Sequence, residues 1–147
     1  MFADCIFERK MFLSNTAQYA VRVLLYMSEN PERKYSAAEL IQKLSISDKY
    51  LRRIMTSLAK EGFAASSHGR DGGYKFKKKI NEISLADIVF AIEGRDKYQK
   101  CILGFEECDD SHPCKLHDTW LAERNNILTF LETTTLDKLD DIAAKQF

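Results

Sequence analysis

Apolar residues recur at helical spacing near the start of the chain. They are Ala17, Ala20, Val21 and Leu24, at positions i, i+3, i+4 and i+7. This spacing predicts a first helix that begins at Ser14 or Asn15 and runs to about Asn30. Pro31 ends it, because a proline disfavours the α conformation in the residue before it.

Two shorter helices follow, joined by a tight turn at residues 44–46. Ser36 and Glu39 have the spacing of a capping box, which predicts a helix of roughly nine residues. Ser47 predicts the start of the next helix and Gly62 its end. The apolar positions of that helix are Leu51, Ile54, Met55 and Leu58. Two short helices joined by a three-residue turn predict a helix-turn-helix, whose second helix enters a DNA groove.

The next segment has the pattern of a β-hairpin. Apolar and polar residues alternate over residues 63–67 and 74–77, and the connection at residues 68–73 contains three glycines. Glycines allow a tight reversal and a close approach between backbones. A hairpin directly after a helix-turn-helix predicts a wing, with Arg70 at its tip where it can enter a minor groove.

The C-terminal half is predicted to be helical around one polar loop. Ser84 begins a helix that ends at Gly94, and residues 95–113 form the loop. A long helix is predicted from about Cys114 to Glu132. Its apolar stripe consists of Leu116, Trp120, Ile127, Leu128 and Leu131. A short last helix from Leu136 carries Leu139, Ile142 and Ala143. Because the head is already compact, the stripe predicts the interface of a homodimer.

These elements predict a mainly α protein: a winged helix-turn-helix with a β-hairpin wing and a long C-terminal dimerisation helix. The 147 residues suffice for one domain with a helical appendage. We divide them into an N-terminal extension (1–10), a DNA-binding domain (11–80), a helix with a cysteine-containing sensor loop (81–113), and a dimerisation helix with a C-terminal helix (114–147).

Charge is unevenly distributed along the chain. The 22 Lys and Arg balance the 22 Asp and Glu, yet residues 1–80 carry a net charge of +7 and residues 81–147 one of −7. A basic N-terminal half indicates a polyanionic partner such as DNA. No apolar run approaches the length needed to cross a bilayer, and the first ten residues lack the pattern of a signal peptide. We therefore expect a cytoplasmic protein with no membrane partner and with reduced thiols.

The residues predicted to contact double-stranded DNA lie on the helix-turn-helix and the wing. From the helices they are Ser36, Ser47, Lys49, Tyr50, Arg52, Arg53 and Thr56, and from the wing His68, Gly69, Arg70 and Lys75. Cationic and hydroxyl side chains donate to phosphates and base edges. Helix-turn-helix dimers read paired half-sites, so palindromic promoter sites are expected. An enzyme would need a base beside an open metal position or a C-x-x-C pair, and neither pattern is present. A purely structural interaction module would leave the basic recognition face without a role.

Three of the four cysteines lie close together in the predicted loop and at the start of the long helix. Cys101, Cys108 and Cys114 have the spacing C-x6-C-x5-C, and His117 follows as C-x2-H. Thiolates and an imidazole are ligands for an iron–sulfur cluster and equally for zinc. Closely spaced thiols can also form a reversible disulfide under oxidant. The spacing alone leaves these three alternatives open.

Several motifs in this order resemble those of the Rrf2 family of bacterial winged-helix regulators, which includes IscR, NsrR and CymR. They are MFLS at 11–14, YAVR at 19–22, ISDKYLRRI at 46–54, GRDGGY at 69–74, ISLADIVFAIEG at 83–94 and TTTLDKL at 133–139, together with the three cysteines. The resemblance covers about residues 11–140 and leaves out Cys5. It implies a homodimeric transcription factor, not an enzyme, whose cluster state changes its DNA binding.

The resemblance also implies a ligand set. In cluster-binding members three loop cysteines, here Cys101, Cys108 and Cys114, hold the cluster, and IscR-like members add a histidine at the position of His117. Where NsrR-like members have an aspartate that ligates a [4Fe–4S] cluster, this chain has Gln18, so a [2Fe–2S] cluster is favoured.

The chain departs from the IscR pattern in three respects. Its first cysteine gap is six residues, one more than in IscR, a difference that a loop can absorb. Arg52 replaces a glutamate of the recognition helix and His68 an arginine of the wing. The DNA sequence read here is therefore expected to differ from the IscR site.

Overall fold

The structure is a computed structural model that describes residues 12–105, 111–139 and 142. Within these residues it has five α-helices and one two-stranded antiparallel sheet. The predicted mainly α winged helix-turn-helix is confirmed. Some sequence-based assignments fall outside the described residues: the N-terminal extension (1–10) with Cys5, the ligand Cys108, and Ala143 in the last helix.

The first three helices form the helix-turn-helix head. They are α1 (Asn15–Ser28), α2 (Ala37–Leu44) and α3 (Asp48–Lys60), capped by the hydroxyls of Ser14, Ser36 and Ser47. Each hydroxyl accepts from a backbone N–H of the first turn, which would otherwise lack a partner. Ser45 has a left-handed backbone with φ of 52°, and this conformation produces the tight turn between α2 and α3. The predicted apolar face of α3 is buried.

The capping box predicted at Ser36 forms only in part. The Ser36 hydroxyl accepts from the Glu39 backbone N–H at 3.1 Å. The Glu39 carboxylate instead accepts from the Tyr26 hydroxyl and from Arg33, each at 2.8 Å. The structure therefore uses Glu39 to join α2 to α1 and to the following turn. Burial and the bond to Glu39 raise the pKa of Tyr26 to about 12.

The wing consists of β1 (Ala64–Ser67) and β2 (Gly73–Phe76), paired antiparallel with Ala64 opposite Phe76. The sequence did not predict a third chain segment beside it. Tyr35 forms a bridge with Tyr74, in which each backbone N–H donates to the other's carbonyl at 2.8 Å. This bridge anchors the wing to the segment just before α2.

The helices of the second half differ from the prediction at the start of the long helix and in the type of the last helical element. A 3₁₀ turn at Ile80–Glu82 leads into α4 (Leu85–Glu93), and a second one lies at Asp96–Tyr98. The long helix, α5, spans His117–Thr133, so the expectation that it begins near Cys114 is wrong. Residues 115–116 form a turn, which places the start of the helix after Leu116. The last predicted helix is a 3₁₀ turn at Leu136–Leu139.

One hydrophobic core joins the head to the elements after the wing. Buried residues of α1, α2 and α3 pack with Ile83 and Ile88 near α4 and with Leu136 near the C-terminus. The Leu136 backbone N–H also donates to the Ile83 carbonyl at 3.0 Å. The packing of α4 on α1 fixes how the loop that follows α4 sits relative to the head. Among the described helices, none is both long and apolar enough to span a membrane.

Candidate functional site

A cleft lies between the recognition helix α3 and the wing. It has a volume of about 530 Å³ and is lined by Arg52, Thr56, His68 and Gly69, among others. These four predicted DNA contacts come from two elements and face one space. Gly72 and Gly73 shape the wing itself, because a Cβ on Gly72 would lie 2.6 Å from the Ser67 carbonyl oxygen of the same hairpin. A Cβ on Gly73 would lie 2.5 Å from the Tyr35 carbonyl oxygen.

Arg52 is held in place by an acidic neighbour on its own helix. Its Nε lies 2.7 Å from Asp48 Oδ2 in an exposed i,i+4 ion pair, and this hydrogen bond raises the pKa of the Arg52 guanidinium. An exposed pair of this kind contributes little to stability. Its consequence is orientation, because the guanidinium remains at the mouth of the cleft with free N–H groups.

The other predicted DNA contacts divide into three groups. Lys49, Arg53, Arg70 and Lys75 are exposed, although Lys75 lies 3.6 Å from Glu32. The hydroxyls of Ser36 and Ser47 cap α2 and α3. Tyr50 is half-buried, and its hydroxyl donates to Thr16 Oγ1 on α1 at 3.0 Å. Tyr50 therefore joins the recognition helix to α1 rather than presenting its hydroxyl to the surface.

The predicted metal ligands that the structure describes share one small recess. Cys101, Cys114 and His117 line a recess of about 10 Å³, together with Trp120 and neighbouring apolar residues. Cys101 is half-buried and Cys114 is exposed, whereas His117 is only 6% exposed. The donor types fit a metal or an iron–sulfur cluster. Within the described residues, no three His, Cys, Asp or Glu side chains are grouped so that they could hold a metal ion. Cys101, Cys114 and His117 line the recess without forming such a group.

A helix beginning near Cys114, as predicted, would place Cys114 and His117 on one helical turn. The structure connects the two residues by a turn instead. Cys114 precedes α5, and its carbonyl accepts from the His117 backbone N–H at 3.0 Å. This turn still brings the two side chains to the same recess. Cys101 reaches it from the loop after α4.

Two side chains of α5 hold that loop through hydrogen bonds that the sequence did not predict. Trp120 Nε1 donates to the Lys100 carbonyl at 3.2 Å, and Arg124 Nη1 donates to the Gln99 carbonyl at 2.7 Å. In the sequence, Trp120 reads as one more residue of the apolar stripe and Arg124 as one more charged residue of a polar helix face. Only the packing of the loop on α5 reveals their bonds.

A further junction, also absent from the prediction, surrounds Glu93 at the end of α4. Its side chain is only 5% exposed, and it accepts from the Ser14 backbone N–H at 2.6 Å and from Lys97 and Tyr98. Burial raises the pKa of Glu93, but these hydrogen bonds outweigh it and lower the pKa to about 2. Burial and the bond to Glu93 raise the pKa of Tyr98 above its ordinary value. The carboxylate therefore remains ionised and joins α1 to the loop.

Comparison with known proteins identifies the family to which the chain belongs. The Rrf2 family, described as "Iron-dependent Transcriptional regulator", matches residues 13–141. The chain belongs to the Rrf2 family. A putative HTH-type transcriptional regulator from Aquifex aeolicus is 29% identical over 92% of this chain and 95% of its own length. IscR from Pectobacterium atrosepticum is 31% identical over 88% of this chain and 79% of its own length.

Solved Rrf2-type structures share the fold. CymR from B. subtilis superposes with a TM-score of 0.73 at 23% identity, covering 90% of this chain and 98% of its own. IscR from T. potens gives a TM-score of 0.66 at 20% identity, covering 94% and 93%. These matches confirm the resemblance inferred from the motifs. As an Rrf2 protein the chain is a DNA-binding transcriptional regulator rather than an enzyme.

Proposed function

We propose that this Rrf2 protein is a homodimeric regulator whose DNA binding is controlled by a [2Fe–2S] cluster held by Cys101, Cys108, Cys114 and His117. The observation that carries the proposal is that Cys101, Cys114 and His117 line one recess. Cys108 belongs to the same ligand set by its position in the sequence. The name IscR among the relatives supports an iron–sulfur site.

DNA reading is assigned to the cleft between α3 and the wing. Arg52 and Thr56 face the cleft from the helix, and His68 and Gly69 face it from the wing. The proposed contact surface also includes Ser36, Ser47, Lys49, Arg53, Arg70 and Lys75. Tyr50 stabilises this surface through the bond of its hydroxyl to Thr16 on α1. The cationic side chains would contact phosphates and base edges in the major groove, while Arg70 at the wing tip would reach the adjacent minor groove.

Dimerisation is assigned to α5. Leu116 and Phe130 are 50% and 59% exposed, and Trp120, Ile127 and Leu128 are only half-buried. Such apolar surface on one helix is expected to pack on a second copy. Two heads related by a two-fold axis would then read the two halves of a palindromic promoter site.

The loop and α5 contribute different ligands, and this division suggests how the site acts. Cys101 and Cys108 belong to the loop, whereas Cys114 and His117 lie at the start of α5. A bound [2Fe–2S] cluster would cross-link the two and supply a redox-sensitive connection. Without that cross-link the loop is held by protein contacts, among them those of Trp120, Arg124 and Glu93. The position of the heads in the dimer would change accordingly.

The test is a metal and colour analysis of protein purified without oxygen. We expect visible absorption, with iron and acid-labile sulfide each at two per chain, and their loss in Cys114→Ala but not in Cys5→Ala. Colourless, iron-free protein that resists anaerobic reconstitution would refute the cluster.

A second candidate keeps the DNA-binding head and replaces the cluster with zinc or a thiol switch. The size of the recess favours it, because about 10 Å³ is the room for one water-sized sphere. Zinc would take the same four donors, whereas a disulfide would join two of the three thiols. The same analysis separates the candidates: stoichiometric zinc without iron supports the first variant, and a metal-free protein with oxidant-dependent thiol content supports the second.

A further inference from the structure

The recess depends on side chains outside the ligand set. His117, Trp120 and Arg124 stand at i, i+3 and i+7 on α5, so they share one face of the helix. His117 and Trp120 line the recess. Trp120 and Arg124 donate to the carbonyls of Lys100 and Gln99, the two residues directly before Cys101.

These two bonds fix the backbone from which Cys101 projects. The carbonyls of Lys100 and Gln99 accept from Trp120 and Arg124 at 3.2 Å and 2.7 Å. The backbone directly N-terminal to Cys101 is therefore attached to one face of α5. On its other side, the Cys101 carbonyl accepts from the Gly104 backbone N–H at 3.1 Å. His117 begins the same helix, so one rigid element positions the imidazole and, through two hydrogen bonds, the thiol.

The Arg124 contact is also specific in its geometry. The Arg124 Nε is buried and, among the described residues, is a side-chain nitrogen without a hydrogen-bond partner. Arg124 as a whole is half-buried, and its Nη1 donates to the Gln99 carbonyl at 2.7 Å. A nearby pair offers a contrast. Arg95 and Glu132 join the same two elements by an exposed side-chain ion pair at 3.4 Å and touch no backbone group beside Cys101.

We propose that Trp120 and Arg124 are positioning residues of the metal site, which preset Cys101 against His117 before a metal binds. This inference rests on the proposed function, since it takes Cys101 and His117 as ligands. Groups that orient metal ligands typically change metal affinity by about 10–100-fold when they are removed.

The experiment uses Co²⁺ as the probe on reduced, metal-free, full-length protein without oxygen. Thiolate–Co²⁺ charge-transfer absorption reports the ligands, and competition with a chelator gives the affinity. Trp120→Phe removes the Nε1–H and keeps an aromatic ring, and Arg124→Gln shortens the side chain so that its donor no longer reaches the Gln99 carbonyl. We expect each variant to bind Co²⁺ about 10–100-fold more weakly than the unmutated protein, with the same absorption at saturation. Arg95→Gln, the matched control, is expected to bind as the unmutated protein does.

Thermal unfolding of the metal-free proteins separates positioning from a general structural role. If Trp120→Phe and Arg124→Gln lower the unfolding temperature but leave the Co²⁺ affinity unchanged, the inference is wrong and the proposed function stands. If the unmutated protein binds Co²⁺ no better than Cys114→Ala, the proposed ligand set and this inference fail together. If both variants fail to fold, Trp120→Tyr and Arg124→Lys provide the test. Where Arg124→Gln folds, we expect Arg124→Lys, whose longer side chain keeps a donor within reach of the carbonyl, to recover affinity relative to it, and equal affinities would overturn the role of Arg124.

Discussion

The Glu93 carboxylate accepts a hydrogen bond from the backbone N–H of Ser14, although the two residues are 79 positions apart in the sequence. Ser14 caps α1, and Glu93 is the last residue of α4. The same carboxylate accepts from Tyr98, just ahead of Cys101. Tyr50 on the recognition helix in turn donates to Thr16 in the first turn of α1. Packed contacts therefore run from the cysteine recess to the DNA-reading helix.

Removing the charge of Glu93 is expected to destabilise the protein in a pH-dependent way. The pKa of Glu93 is about 2 in the folded protein, below its ordinary value of 4.5. Its stabilisation is therefore fully present above about pH 4.5 and is lost as the pH falls toward 2. Glu93→Gln should lower the free energy of unfolding by about 1–3 kcal/mol near pH 7, with a smaller difference below pH 4. Denaturant unfolding from pH 3 to 7 measures it, with Glu132→Gln, at the exposed ion pair with Arg95, as control. A difference that does not vary with pH would contradict the assignment.

Arg52 is expected to contribute to sequence-specific DNA binding. Its guanidinium lies at the cleft between α3 and the wing, oriented by Asp48. Arg52→Ala should weaken binding to DNA selected by the unmutated protein by about 1–3 kcal/mol and relax the preference at one base position. Fluorescence anisotropy with single-base variants of the site measures both effects. Arg95→Ala, another exposed arginine paired with an acid, should change neither. An unchanged base preference in Arg52→Ala would place base reading elsewhere.

Gly73 is expected to be required for the attachment of the wing. A Cβ at this position would lie 2.5 Å from the Tyr35 carbonyl oxygen, which accepts from the Tyr74 backbone N–H. Gly73→Ala should therefore disturb the bridge and cost about 1–3 kcal/mol of stability. Hydrogen exchange at the Tyr35 and Tyr74 amides should accelerate. Ser66→Ala, an exposed change in the same hairpin, is the control and should leave both amides protected. Unaltered exchange in Gly73→Ala would show that the bridge tolerates a side chain there.

A charge on the exposed apolar surface of α5 is expected to separate the dimer. Phe130 is 59% exposed in the single chain, so Phe130→Glu should leave the fold intact while opposing burial against a second copy. Sedimentation equilibrium should report a monomer for Phe130→Glu. Thr129→Glu, an exposed neighbour on a different side of the helix, should remain dimeric. If both variants remain dimeric, the interface lies elsewhere.

The head could be predicted from the sequence because its signals are local. Ser14, Ser36 and Ser47 precede apolar residues at helical spacing, and each is found as a helix cap. The delayed start of α5 was missed because Leu116 continues the apolar stripe into a turn. The bridge of Tyr35 to the wing and the bonds of Glu93 and Trp120 could not be predicted. They join positions 20 to 79 residues apart, and no local periodicity specifies such pairs. The cysteine spacing indicated a ligand set, whereas the side chains that hold Cys101 in place became visible only in the packed structure.

The most direct test of the account is the DNA affinity of the same protein before and after its metal or cluster is removed. The measurement is made without oxygen on the unmutated chain and on Cys114→Ala. We expect removal to change the affinity of the unmutated protein by about 5–150-fold, the usual range for coupled sites, and to leave Cys114→Ala unchanged. Equal affinities for loaded and stripped unmutated protein would contradict the claim that the recess controls DNA binding.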